Sequence, residues 1–113
     1  MKKVSIIIVT YNSEKDIYDC INSIIENSDI PLAEIELVVV DNNSTDCDTM
    51  FGKLKTLWGE DIILIKNSSN GGYGQGNNVG IRQCSAPVVL IMNPDVRLVC
   101  PILRKAINLF SKD

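Results

Sequence analysis

The chain alternates four nearly continuous apolar runs with stretches in which apolar residues recur every three or four positions. The runs cover residues 4–9, 35–40, 62–65 and 88–92. Runs rich in Val, Ile and Leu with little alternation are typical of strands that are buried on both faces of a parallel sheet. The stretches between and after them have the spacing of amphipathic helices. The pattern therefore predicts the order βαβαβαβα in one domain.

The flanking residues predict where the helices begin. The first helix is predicted to begin after Ser13, and the second after Ser44 or Asp46, because Ser and Asp are favoured helix caps. The third helix is predicted over residues 76–83, with a weak pattern that glycine interrupts. Pro101 is predicted to be the first residue of the last helix, a position where proline is tolerated.

Strands that alternate with helices predict an α/β fold. We expect a Rossmann-like parallel sheet with right-handed crossovers and helices on both faces, in three α/β/α layers. In the doubly wound order 3-2-1-4 the winding reverses between the first and fourth strands, and ligands bind outside the carboxyl ends of the strands at such a point. The polar residues that follow three of the apolar runs are therefore predicted to line one crevice. They are Thr10, Tyr11 and Asn12, then Asp41, and then Asn93, Pro94 and Asp95.

Composition narrows the possible chemistry. The 113 residues carry a formal net charge of -3 and no basic cluster longer than two residues, so a nucleic-acid partner is not expected. Histidine is absent, and the four cysteines form no Cys-x-x-Cys pair, which argues against a zinc site or a disulfide framework. No apolar run approaches the roughly 20 residues that span a bilayer, and the short run after Met-Lys-Lys fits a first strand better than a signal peptide. A soluble, cytoplasmic protein without a transmembrane segment is expected.

Three segments have both a structural and a functional interpretation. The Asp41 carboxylate either caps the turn that follows it or accepts a hydrogen bond from the N3–H of a pyrimidine. The Asn93-Pro94-Asp95 segment is either a turn or the site of a hard cation, with carboxylate and amide oxygens as ligands beside a diphosphate. The glycine-rich segment 70–78 lacks the spacing of dinucleotide- and ATP-binding loops, and is either a surface turn or a loop that lies along a ligand.

Taken together, four segments resemble glycosyltransferase family 2 in the order and spacing of its nucleotide-binding half. They are residues 4–12, 39–46, 70–80 and 90–95. The glycine-rich segment and Asn-Pro-Asp are most similar to the bacterial rhamnosyltransferase-like branch. The resemblance implies that residues 1–113 form a nucleotide-diphospho-sugar-binding domain of the GT-A type.

The resemblance also implies roles for individual positions. Thr10, Tyr11 and Asn12 match the positions that border the base and ribose, and Asp41 matches the partner of a uracil or thymine ring. The glycine-rich segment matches the region near the sugar and phosphates. Asp95 inherits the main role in binding Mn²⁺ or Mg²⁺, while Asn93 replaces the first acid of the family's Asp-x-Asp motif. The expected donor-binding residues are Thr10, Tyr11, Asn12, Asp41, Asn70, Gly71, Gly72, Asn93 and Asp95.

As a function, the resemblance implies transfer of a sugar from a UDP- or dTDP-sugar to a hydroxyl of a glycan or lipid-linked acceptor. The expected reaction is inverting and metal-dependent, in polysaccharide biosynthesis, on a protein peripheral to the inner membrane at full length. The general base is expected in a second half of a longer enzyme, since Asp113 is the only acid after Asp95. A non-catalytic nucleotide-binding module is the first alternative. A phospho-acceptor signalling domain is a weaker one, because it would need paired acids after the first strand.

Overall fold

The computed structural model describes residues 1–110 and contains four strands and four α-helices. The strands are β1 (Val4–Thr10), β2 (Ile35–Asp41), β3 (Ile62–Lys66) and β4 (Val88–Met92). The helices are α1 (Glu14–Asn27), α2 (Cys47–Trp58), α3 (Tyr73–Gln83) and α4 (Leu103–Phe110). Short 3₁₀ turns precede β2 and β3. The predicted order βαβαβαβα is confirmed.

All strand pairs are parallel, in the spatial order β3-β2-β1-β4. This is the predicted doubly wound order, with the reversal between β1 and β4. Thr10 lies beside Asp41 in the register of β1 with β2, and Ile8 lies beside Met92 in the register of β1 with β4. The carboxyl ends of β2, β1 and β4 therefore meet at one edge of the sheet, as predicted.

Helices cover both faces of the sheet, which gives the predicted α/β/α layers. The larger core lies between one face and the helices α1, α2 and α4, and includes Ile17, Met50 and Leu103. The smaller core lies on the opposite face, where α3 packs on Ile7 and Val40. Every residue of β1 and β2 is buried, and each fully buried Ile or Val contributes about 1.5–3 kcal/mol relative to an exposed one. The two central strands thus form a rigid platform for the polar carboxyl edge.

The third helix begins at Tyr73, three residues before the predicted start at Gly76. Gly72 has φ 93, in the left-handed region that glycine favours, and the chain enters the helix directly after it. The glycines within the helix have a packing role: a Cβ on Gly76 would lie 2.7 Å from Val9 Cγ1, and one on Gly80 would lie 2.7 Å from Ile7 Cγ2. Glycine has a low helix propensity, but at Gly76 and Gly80 close packing of α3 on the sheet outweighs it, because only a residue without a side chain allows this approach.

The starts of α1 and α2 agree with the prediction, whereas the start of the last helix differs in detail. The last helix begins at Leu103 and not at Pro101, because the amide of Ala106 donates the first helical hydrogen bond to the carbonyl of Ile102. Ser13 and Asp46 occupy the cap positions of α1 and α2, but neither side chain makes a capping hydrogen bond. In residues 1–110 no helix has both the length and the apolar character needed to cross a membrane.

Candidate functional site

Side chains at the ends of β1 and β2 bind each other on the α1–α2 side of the sheet. The Thr10 hydroxyl donates to Asp41 Oδ1 at 2.7 Å, and the Ser44 hydroxyl and amide donate to Asp41 Oδ1 and Oδ2 at 2.5 and 2.7 Å. Asp41 has no exposed surface. Burial alone raises the pKa of Asp41, but the hydrogen bonds from Ser44 and Thr10 outweigh it and hold the pKa below its usual value. Asp41 is thus an ionised structural centre of this edge.

The turns that follow these strands are also tied together. The amide of Asn12 donates to the Ser44 hydroxyl at 2.7 Å, and the amide of Thr45 donates to Asn12 Oδ1 at 3.1 Å. Asn12 and Asn43 have φ of 51 and 67, in the left-handed region that asparagine tolerates better than most residues. The Thr-Tyr-Asn and Asp-Asn-Asn-Ser segments therefore hold each other's conformation.

The strand alternation explains which residues of these segments face the opposite side. Ile8 and Val39 belong to the core below α1 and α2, whereas Val9 and Val40 belong to the core below α3. Successive side chains of a strand point to opposite faces, so Thr10 and Asp41 continue the first set, and Tyr11 and Asn42 continue the second. These last two residues reach the space beside α3.

Asn42 connects β2 to the glycine-rich segment. Its Nδ2 donates to the carbonyl of Gly72 at 3.0 Å, and its Oδ1 accepts from Asn67 Nδ2 at 2.7 Å. The segment closes on itself where the amide of Gly72 donates to Asn70 Oδ1 at 2.9 Å. With only 2% of its surface exposed, Asn42 sets the height of the loop above the sheet.

The Asn93-Pro94-Asp95 segment forms a turn after β4 and meets the start of α3. The amide of Val96 donates to the carbonyl of Asn93 at 3.0 Å, and the Tyr73 hydroxyl donates to Asn93 Oδ1. Burial and the nearby Asp95 carboxylate raise the pKa of Tyr73, which keeps its hydroxyl protonated as a donor. Asp95 itself is exposed, and its carboxylate has no hydrogen bond or ion pair within residues 1–110.

These segments enclose a cavity of about 330 Å³ at the carboxyl edge of the sheet. Each of the four segments singled out in the sequence contributes to its wall. The lining residues are Val9, Tyr11, Ser13, Asn42, Asn70, Gly72, Tyr73 and Pro94. Tyr11 is 52% exposed, so part of a large aromatic side chain is available at the rim.

The predicted site residues hold different positions around this cavity. Tyr11, Asn70 and Gly72 line it, and Asn93 and Asp95 flank Pro94 in its wall. Thr10 and Asp41 lie beneath, on the other face of the sheet, while Asn12 lines a separate cavity with Lys15 and Lys53. Gly71 is exposed in the loop. Asp113 lies outside the described residues.

Four lining residues are missing from the residues predicted to form the site: Val9, Ser13, Asn42 and Tyr73. Strand alternation extended one residue past Asp41 would have placed Asn42 on the side of α3. Nothing in the sequence pattern indicated the hydrogen bond of Tyr73 with Asn93, because it joins residues on separate elements.

A larger cavity of about 670 Å³ lies between α1 and α2. Its walls include Tyr18, Thr49, Lys53 and Leu57, and none of the four singled-out segments contributes to it. The 330 Å³ cavity is the better candidate site, because it lies at the carboxyl ends of the strands where the winding of the sheet reverses.

The polar residues after β4 suit a cation that is also coordinated by a phosphate-containing ligand. No group of three or more Cys, Asp or Glu side chains within residues 1–110 is arranged as a metal site. Mg²⁺ and similar cations often bind through one or two carboxylates, with phosphate oxygens and waters completing the shell. Asp95 offers one free carboxylate, and Asn93 offers an amide oxygen that the Tyr73 hydroxyl contacts. The donor set therefore suits a cation shared with a phosphate ligand.

Comparison with known proteins gives matches over nearly the whole chain. Poly(ribitol-phosphate) beta-N-acetylglucosaminyltransferase TarS of Staphylococcus aureus is 36% identical over 96 residues, which cover 84% of this chain and 16% of that protein. A crystal structure of residues 1–349 of S. aureus TarS in complex with UDP superposes with a TM-score of 0.79 at 31% identity, covering 96% of this chain and 32% of that one.

A mannosyltransferase from Pyrobaculum calidifontis, solved with GDP-Man and Mn²⁺, superposes with a TM-score of 0.81 at 24% identity, over 98% of this chain and 32% of that one. This likeness shows the fold alone, and with the TarS structures it confirms the predicted GT-A architecture. The chain spans about a sixth of the length of TarS. Residues 5–113 match the family described as glycosyl transferase family 2. The chain belongs to glycosyl transferase family 2.

Proposed function

We propose that the chain is the donor-binding domain of a glycosyltransferase and binds a nucleoside diphosphate sugar in the 330 Å³ cavity. The observation that carries the proposal is the convergence of all four singled-out segments on this one cavity. Support also comes from TarS, which is 36% identical and was solved in complex with UDP and with UDP-GlcNAc. A uracil or thymine nucleotide is the donor that we propose for this chain.

The base and ribose are proposed to lie on the β1–β2 side of the cavity. The exposed ring of Tyr11 offers a surface for stacking, which contributes about 1–3 kcal/mol per base in nucleic-acid complexes. Asn42 lines the cavity close by, and its amide, which is bound to Gly72 and Asn67, holds the wall in place. Direct contact of Asp41 with the base stays a prediction, and the buried carboxylate favours a different role. We propose that Asp41 and Thr10 hold the floor on which the base rests.

The diphosphate is proposed to lie towards the end of β4. Asp41 ends β2 and Asp95 follows β4. Because β1 lies between these two strands, two inter-strand spacings, about 10 Å, separate their ends. Asp95, with Asn93 beside it, would hold Mn²⁺ or Mg²⁺ against the phosphates. When bound, the cation supplies Lewis-acid stabilisation of the negative charge that develops on the diphosphate leaving group. Asn70 and Gly72 line the same cavity and would exclude water from the sugar-phosphate bond.

The finer features of the reaction are also proposals. They comprise an inverting transfer to a hydroxyl of a glycan or lipid-linked acceptor, a place in the rhamnosyltransferase-like branch, and peripheral attachment to the inner membrane at full length. An inverting transfer needs a base that removes the acceptor proton. No Asp or Glu of residues 1–110 lines the cavity, and the carboxylate of Asp41 beneath it is buried and bound by Thr10 and Ser44, so we place that base in a further domain.

Isothermal titration calorimetry with UDP, with and without Mn²⁺, tests the proposal. We expect UDP to bind, Mn²⁺ to raise its affinity, and Asp95→Ala to remove the gain from Mn²⁺ while the fold persists. Asp61→Ala is the matched control, because Asp61 is an exposed acid at the opposite, amino end of β3. Absence of UDP binding would refute the proposal. Binding that ignores both Mn²⁺ and Asp95→Ala would support the non-catalytic nucleotide-binding module instead.

A further inference from the structure

We infer that a polar stripe on α1 sets the position of the Asp95 carboxylate, and that Ser23 and Asn27 are positioning residues for the cation. The stripe consists of Asp16, Cys20, Ser23 and Asn27, which share one side of the helix. It binds the segment 93–98, more than 65 residues away in the sequence. The inference rests on the proposed function and deepens it, since it names residues outside the cavity on which the cation site depends.

The strongest contacts hold the backbone of Leu98 at both of its polar atoms. The amide of Leu98 donates to Ser23 Oγ at 2.8 Å, and its carbonyl accepts from Asn27 Nδ2 at 2.8 Å. Ser23 Oγ in turn donates to the carbonyl of Cys20 at 2.7 Å, which fixes the rotation of the hydroxyl. Ser23 and Asn27 lie one helical turn apart on the same side of α1. Together they satisfy both backbone hydrogen-bonding groups of Leu98.

Further contacts use the backbone carbonyls around Asp95. Arg97 Nη1 donates to the carbonyls of Pro94 and Val96 at 2.9 and 3.1 Å, and Arg97 Nη2 lies 3.3 Å from Asp16 Oδ1. The Cys20 thiol donates to the carbonyl of Asn93 at 3.7 Å. The turn is therefore held at its backbone, and the Asp95 side chain remains free.

Ser23 and Asn27 are better test positions than the charged pair. The side chains of Arg97 and Asp16 are 32% and 46% exposed, and exposed ion pairs contribute little. Leu98 is only 8% exposed, so loss of a partner would leave a buried amide or carbonyl unsatisfied. The segment would then shift, and a shift of about 0.5 Å is enough to impair a preorganised site.

The experiment measures UDP affinity by calorimetry with and without Mn²⁺, alongside the electron paramagnetic resonance signal of free Mn²⁺. We expect Ser23→Ala and Asn27→Ala to reduce the Mn²⁺-dependent gain in UDP affinity by about tenfold, as loss of outer-shell partners does at metal sites. Affinity for UDP without metal should change by less than about twofold, because Tyr11 and Asn42 are untouched. Ser23→Thr keeps the hydroxyl and should restore the gain.

Asn22→Ala is the matched control, because Asn22 is an exposed asparagine on the same helix. An unchanged Mn²⁺-dependent gain in both alanine variants would overturn the inference. So would an equal loss of affinity with and without metal, which would indicate general damage to the fold. In either case wild-type binding of UDP would leave the proposed function intact. Failure of the wild type to bind UDP would refute the proposed function and this inference together.

Discussion

Replacement of Gly80 by alanine tests whether the glycines of α3 serve helix packing. An alanine in a helix interior is favoured over glycine by about 0.5–1 kcal/mol. At Gly80, however, the new Cβ would lie 2.7 Å from Ile7 Cγ2 and 3.3 Å from Val40 Cγ2, both on the rigid central strands. Overpacking of this kind costs about 1–3 kcal/mol. We therefore expect Gly80→Ala to lower the free energy of unfolding by about 0.5–2 kcal/mol.

Gly52→Ala in α2 is the matched control, because a Cβ at Gly52 meets nothing within 4 Å. It should raise the free energy of unfolding by about 0.5–1 kcal/mol. Urea unfolding followed by the fluorescence of Trp58, the only tryptophan, measures both variants, with the midpoints compared at equal m-values. If Gly80→Ala shifted the midpoint upward as Gly52→Ala does, α3 would not be held against the sheet as described.

Three further predictions concern single side chains. Glu36 accepts hydrogen bonds from Ser5 and Ser85; burial alone raises its pKa, but these bonds outweigh it and hold the pKa below its usual value. The stability that ionised Glu36 contributes is present above its pKa in the unfolded chain, about 4.3, and is lost as the pH falls through its lower pKa in the folded protein. Glu36→Gln should therefore make the free energy of unfolding less dependent on pH on the acid side. Asp41→Asn should cost about 1–3 kcal/mol in urea unfolding, because its new amide faces the Ser44 N–H donor; an unchanged midpoint would contradict the structural role of Asp41. Tyr73→Phe frees Asn93 Oδ1 and should increase the Mn²⁺-dependent gain in UDP affinity by about threefold in calorimetry, whereas a decrease would mean that the hydroxyl supports the cation.

The fold could be predicted because its strands are short, almost purely apolar and separated by helical periodicity. These features fix the parallel sheet, and the turn residues at the ends of β1, β2 and β4 indicate the functional edge. The starts of α1 and α2 were predicted correctly, whereas those of α3 and α4 were predicted less well. Gly76 lowers helix propensity locally, but the tertiary contact with Val9 that requires a glycine joins residues 67 positions apart, and periodicity carries no information about it.

The candidate site could be predicted at the level of segments but not of side-chain roles. Thr10 and Asp41 have the chemistry of ligand-binding residues, yet they bind each other on the α1–α2 side of the sheet. Their neighbours Tyr11 and Asn42 reach the cavity. Which residue of a strand-end pair faces the ligand depends on which sheet face carries the cavity, and that follows only from the packing of α3.

The most direct test of the central claim is a nuclear magnetic resonance titration of the ¹⁵N-labelled chain with UDP. If UDP occupies the carboxyl-edge cavity, the largest shifts will fall on the amides of Tyr11, Asn42, Gly72 and Tyr73. Shifts concentrated on Thr49 and Lys53, in the cavity between α1 and α2, would place the nucleotide elsewhere and contradict the account.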